Sequence, residues 1–175
     1  APPTIEGCVN RGAISLSGDL NAESLVAGIA ASNLCHLKSC KSLGDLHIEN
    51  NYTEDSNYVV IAGLGARSSA AFTLEDCEVD CNITYYGYGT NVACGLIQGK
   101  IWGSNKTIIS PVKIKKTTTI NGVAVTEDDA TMHTKLVAWD ESTDGTIDAG
   151  GWQNATEEGR VGSVFKINEG DVIIE

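Results

Sequence analysis

A short cysteine-bearing element returns three times along this chain, and it constrains the fold more than any other feature. Ile5-Glu6-Gly7-Cys8, Leu37-Lys38-Ser39-Cys40 and Leu74-Glu75-Asp76-Cys77 share the form apolar-x-x-Cys. Cys8 and Cys40 lie 32 residues apart, and Cys40 and Cys77 lie 37 apart. Each copy runs on into a short apolar stretch: Val9, Ala13 and Ile14; Leu43, Leu46 and Ile48; Val79, Cys81 and Ile83. Ile108-Ile109-Ser110-Pro111, followed by Val112 and Ile114, reads as a degenerate fourth copy.

A second element precedes each later copy. It reads Leu25-Val26-Ala27-Gly28, then Val60-Ile61-Ala62-Gly63, then Val92-Ala93-Cys94-Gly95. Gly28, Gly63 and Gly95 are 35 and 32 residues apart, so two elements keep one order and a similar period. One unit of two or three short strand-like segments cannot bury its own apolar side. Stacked units, about 4.8 Å apart, bring equivalent positions into columns and close a common core. Small residues such as Ala27, Gly28, Ala30 and Ala31 suit an interior where backbone runs close to backbone.

Composition agrees. Glycine is abundant at 19 residues and proline scarce at 3, with Val, Ile and Thr in short runs, which favours many short strands and tight corners. The expected fold is all-β: a short parallel β-helix (solenoid) over 1–116, then a C-terminal β-hairpin cap or small β appendage over 117–175. Within that tail, Thr117–Ile120, Asn121-Gly122 and Val123–Thr126 form a strong hairpin signal, since Asn-Gly readily takes the positive φ angles of a type I′ turn. Lys135–Trp139 reads as a strand. Val164–Ile167 and Val172–Ile174 suggest a closing hairpin.

The glycine-apolar element followed by apolar-x-x-Cys, a polar turn and another strand resembles the GLUG motif over residues 4–116. That motif occurs in bacterial surface proteins, including adhesins and the non-catalytic parts of immunoglobulin-A peptidases. The resemblance implies a β-solenoid scaffold on an extracellular or cell-surface bacterial protein, and no enzyme. The first unit lacks its preceding glycine element, which leads us to expect a longer polypeptide upstream.

The net charge of −11 repels phosphate-rich partners, and the only dense basic stretch, Lys113, Lys115 and Lys116, alternates like the outer side of a strand. Nucleic acid is therefore not an expected partner. No apolar run is long enough to span a bilayer as a helix. Asn51, Asn82, Asn105 and Asn154 each fit the glycosylation acceptor pattern, without defining a source.

Candidate chemistry is sparse. Cys8, Cys40 and Cys77 should stack as an inward ladder of small buried hydrophobes. A disulfide between neighbouring units is an alternative, as is zinc held by Cys35, His36 and Cys40 or by Cys77 and Cys81, although those spacings match no paired knuckle. His36, His47 and His133 sit in no nucleophile or metal motif, and His47, between Leu46 and Ile48, should face outward. We expect no catalytic residues and no cofactor. Asp140–Asp148 is acidic enough to suggest calcium, but the alternating ligands and terminal glutamate of an EF-hand are missing, and an ordinary polar loop is the better reading.

The most suggestive binding feature is aromatic. Tyr85, Tyr86 and Tyr88 occur with Gly87 and Gly89 in an expected loop, and Tyr52 and Tyr58 occupy the equivalent loop one unit earlier. Loops at matching positions emerge on one side of a stack, so these rings form a candidate patch for a glycan or a host or cell-surface protein. The leading expectation is a non-enzymatic module for adhesion or display. The alternatives are a carbohydrate-binding module of a glycan-processing protein, and a polysaccharide lyase or hydrolase.

Overall fold

The computed structural model describes residues 3–32, 35–53, 59–68, 72–87, 92–101, 106–124, 137–140 and 170–175, and among them there are strands and no helix. These strands make five sheets. The first holds β1 (Thr4–Glu6), β6 (His36–Lys38), β11 (Phe72–Glu75) and β16 (Lys106–Ile108). The second holds β2 (Val9–Asn10), β7 (Lys41–Ser42), β12 (Glu78–Val79), β17 (Val112–Ile114) and β21 (Val172–Ile174). The third holds β3 (Ile14–Gly18), β8 (Leu46–Asn50), β13 (Asn82–Gly87), β18 (Thr119–Ile120) and β19 (Val123–Ala124). The fourth holds β4 (Ser24–Ala27), β9 (Val59–Ala62) and β14 (Val92–Gly95). The fifth holds β5 (Ala30–Ser32), β10 (Gly65–Ser68), β15 (Gln98–Ile101) and β20 (Val137–Asp140). From β1 to β15 the chain visits the sheets in that order three times, and each of these strands pairs in parallel with its counterpart one round away; β16, β17 and β18 begin a fourth round on the first three sheets.

The protein is thus all-β with largely parallel sheets. The one antiparallel pair among the described strands is β18 with β19. There Asn121 and Gly122 carry φ of 47° and 78°, as the Asn-Gly turn requires. Beyond residue 116, β18, β20 and β21 extend the third, fifth and second sheets. Val172–Ile174 therefore lies parallel to β17, while its expected hairpin partner, Val164–Ile167, lies outside the described residues.

The apolar-x-x-Cys element is a corner between the first and second sheets. Its first residue points inward and stacks in register: Ile5 beside Leu37, Leu37 beside Leu74, Leu74 beside Ile108. Its third residue takes the left-handed conformation, with φ of 68° at Gly7 and 51° at Ser39 and Asp76. That bend lets the next residue, the cysteine, point inward again. The position suits glycine, and at the later corners short polar residues occupy it and bond from one round to the next. Here Ser39 Oγ donates to Asp76 Oδ2 at 3.3 Å, and the Asp76 amide donates to Ser110 Oγ at 2.7 Å.

The core consists of such columns. Ile14, Leu46, Ile83 and Ile120 form one along the third sheet, and Leu16, Ile48 and Tyr85 form the next. Leu37, Leu46, Ile48, Leu74 and Ile83 are fully buried, each contributing about 1.5–3 kcal/mol by leaving water. All of β9 is buried, because the fifth sheet folds back against the fourth. Gly99 keeps that approach close: a Cβ there would lie 2.6 Å from Val60 Cγ1 and 2.9 Å from the Ala66 carbonyl oxygen.

The expected glycine stack holds for only two of its three members. Leu25–Ala27 pair with Val60–Ala62, which brings Gly28 beside Gly63. Gly95, however, pairs with Ala62, so Leu96 stands beside Gly63. The inward column Val26, Ile61 and Cys94 sets this register, since a one-residue slip would turn the apolar side outward.

Candidate functional site

Of the tyrosines expected in the loop patch, Tyr52, Tyr85 and Tyr86 are among the described residues, and the last two stand in a strand instead of a loop. Tyr85 and Tyr86 lie within strand β13, and neighbouring strand residues face opposite sides. Tyr85 stacks on Ile48 and packs against the core; burial raises its phenol pKa, and a hydrogen bond with Asn50 opposes the shift. Tyr86 is 60% exposed, pairs with Glu49 and tilts against His47 with ring centroids 5.6 Å apart. Tyr52 is half-buried, its amide donating at 3.0 Å to Asn50 Oδ1, the oxygen that also accepts from the Leu20 amide. Tyr58 and Tyr88 lie outside the described residues. His47 does face outward, with Nε2 3.0 Å from Glu49 Oε1.

All six cysteines are free, and all but Cys8 are buried. Cys8, Cys40 and Cys77 stack: the amides of Lys41, Glu78 and Lys113 donate at 2.8–2.9 Å to the carbonyls of Cys8, Cys40 and Cys77 respectively. The same register sets Val112, then Val172, in the cysteine column, which is how a column of small hydrophobes behaves. The thiols also donate. Cys40 Sγ reaches the carbonyls of Lys38 at 3.3 Å and Ile5 at 3.4 Å, and Cys77 Sγ reaches those of Glu75 at 3.5 Å and Leu37 at 3.6 Å. Burial pushes the Cys77 and Cys81 thiols up to about 11, and raises Cys35, Cys40 and Cys94 as well. Such thiols are poor nucleophiles and poor metal ligands at neutral pH. No group of His, Cys, Asp and Glu among the described residues is arranged to hold a metal. Of the acidic run Asp140–Asp148, only Asp140 is among them; Asn105 and Asn154 also lie outside the described residues.

The basic stretch is an ordinary outer row. Lys115 pairs with Glu175 at 2.6 Å, which raises the lysine pKa and lowers that of the glutamate. Asn51 is exposed, and Asn82 joins a surface ladder, donating to Asp45 Oδ1 and accepting from Thr119 Oγ1.

A groove on the outer side of the first sheet brings together residues that spacing alone did not single out. Its volume is about 420 Å³, and Thr4, Glu6, His36, Lys38, Thr73, Glu75 and Ile109 line it with the edge of Leu37. Two outward columns form its walls. One contains Thr4, His36 and Thr73, with His36 Nδ1 2.7 Å from Thr73 Oγ1. The other contains Glu6, Lys38, Glu75 and Ile109; Lys38 Nζ lies 3.8 Å from Glu6 and 3.5 Å from Glu75. The signal was present at the second position of each apolar-x-x-Cys element, where Glu, Lys and Glu alternate.

Comparison with protein-family models, with curated proteins and with solved structures gave no match. No described helix is long and apolar enough to cross a membrane.

Proposed function

We propose that the successive rounds are coils of a short parallel β-solenoid, and that the chain serves as a non-enzymatic module of a bacterial surface protein, used for adhesion or display outside the cell. The observation that carries this reading is the recurrence of five parallel ladders in one order, with the left-handed corner repeated at Gly7, Ser39 and Asp76. A stack of this kind presents long outer faces of side-by-side residues, a geometry suited to holding an extended partner. Carbohydrate recognition is the second reading, supported by the open polar groove on the first sheet.

The test is to find where the native protein resides, and what it binds. Fractionation should place it on the cell surface or in the medium, and incubation with surface glycans and proteins should give binding without product release. Recovery only from the cytosol would contradict the extracellular assignment. Release of cleaved glycan would contradict the non-enzymatic one.

A further inference from the structure

We infer that the groove on the first sheet is a binding site for a linear glycan lacking acidic groups, running along the stack rather than along a strand. The inference rests on the extracellular-module reading and names its ligand.

The argument begins with direction. The groove lies between two columns, and its lining comes from four successive rounds: Thr4 and Glu6, then His36 and Lys38, then Thr73 and Glu75, then Ile109. Its long axis therefore crosses the strands, over about 14 Å, or three strand spacings. In the first three rounds a polar side chain stands on each side of the groove, so a ligand lying there meets hydrogen-bonding partners along both of its edges. An extended peptide adding to a sheet uses strand edges, and the middle strands β6 and β11 have theirs already paired. A chain of pyranose rings carries hydroxyls on both edges and apolar ring faces between.

The walls match that chemistry. The glutamates can accept from sugar hydroxyls, Lys38 donates, and the Thr4 and Thr73 hydroxyls do either. The exposed Ile109, at 59%, gives an apolar face at one end. Charge selects among glycans. One lysine stands between two carboxylates, leaving a surplus negative charge in a protein of net charge −11, so a uronic-acid polymer is repelled. A volume of about 420 Å³ lies within the range of small-molecule sites.

The experiment is calorimetric titration of the full chain with uncharged cello-, manno- and xylo-hexasaccharides, the matching disaccharides and an oligogalacturonate. At least one uncharged hexasaccharide should bind, about tenfold or more tighter than its disaccharide, with the oligogalacturonate weaker. Lys38→Ala should weaken binding about tenfold, and Thr73→Trp, which fills the groove, should abolish it. Lys113→Ala on the second sheet should leave it unchanged. Circular dichroism and melting temperature establish that each variant is folded. Absence of binding by every uncharged hexasaccharide, tighter binding of the oligogalacturonate, or indifference to both groove variants would overturn the assignment. None of those results bears on whether the protein is extracellular. Groove-dependent binding accompanied by cleavage would uphold the site while removing the non-enzymatic reading.

Discussion

The Cys77 thiol donates to the carbonyl oxygen of Leu37, one round earlier, at 3.6 Å. This contact explains why cysteine recurs at the corner. The residue is small enough for the bend, apolar enough for the interior, and able to donate to carbonyls exposed where the chain turns. Alanine would fill less of the space and lose the donor. Cys77→Ala should cost about 1–2 kcal/mol in denaturant unfolding, and Cys77→Asp several times more because its carboxylate would be buried. An unchanged midpoint for Cys77→Ala would contradict the role.

Thiol labelling checks the burial pattern. In native buffer one thiol, Cys8, should react with a small disulfide reagent within minutes, and all six should react in denaturant. A total below six in denaturant would reveal a bridge. Rapid reaction of several thiols in native buffer would mean that the columns are open.

Stability should fall at alkaline pH. Cys77 and Cys81 have pKa values of about 11 in the folded protein, above the ordinary value of 9.0. The unfolded chain therefore releases these protons first, so the stabilisation is complete below about pH 8.5 and is lost as pH rises towards 11. Each thiol accounts for about 2–3 kcal/mol across that window. A Cys81→Ala variant should show a shallower decline between pH 9 and 11; parallel slopes would refute the assignment.

Two glycines separate steric from conformational demand. A Cβ on Gly63 would lie 2.2 Å from the Leu96 carbonyl oxygen, whereas Gly122, at φ 78°, has open space around it. Gly63→Ala should cost about 3 kcal/mol and Gly122→Ala about 1 kcal/mol. Equal losses would mean that the fourth sheet is not packed as described.

The repeat made the order of segments legible, because columns of equivalent residues need equivalent sequence. The corner at Cys8, Cys40 and Cys77 was legible for that reason. The register at Gly95 was not, since matching glycines ignores the inward column Val26, Ile61 and Cys94 that fixes the pairing. The place of Tyr85 was not legible because Tyr85-Tyr86-Gly87 has turn-like composition, yet Tyr85 continues a column begun by Leu16 and Ile48. The groove was hidden for a different reason. Glu6, Lys38 and Glu75 are ordinary surface charges until stacking sets them side by side.

Replacing the two tyrosines tests that distinction. Tyr85→Ala should lower stability by about 2 kcal/mol, while Tyr86→Ala should stay within about 0.5 kcal/mol of the parent. A larger loss for Tyr86→Ala would reverse their orientations.

The parallel stacking of rounds is the central claim, and through-hydrogen-bond couplings in a deuterated, isotope-labelled sample test it most directly. The account predicts couplings from the amide nitrogens of Lys41, Glu78 and Lys113 to the carbonyl carbons of Cys8, Cys40 and Cys77 respectively. Couplings from these amides to other carbonyls, in an antiparallel pattern or a shifted register, would contradict it.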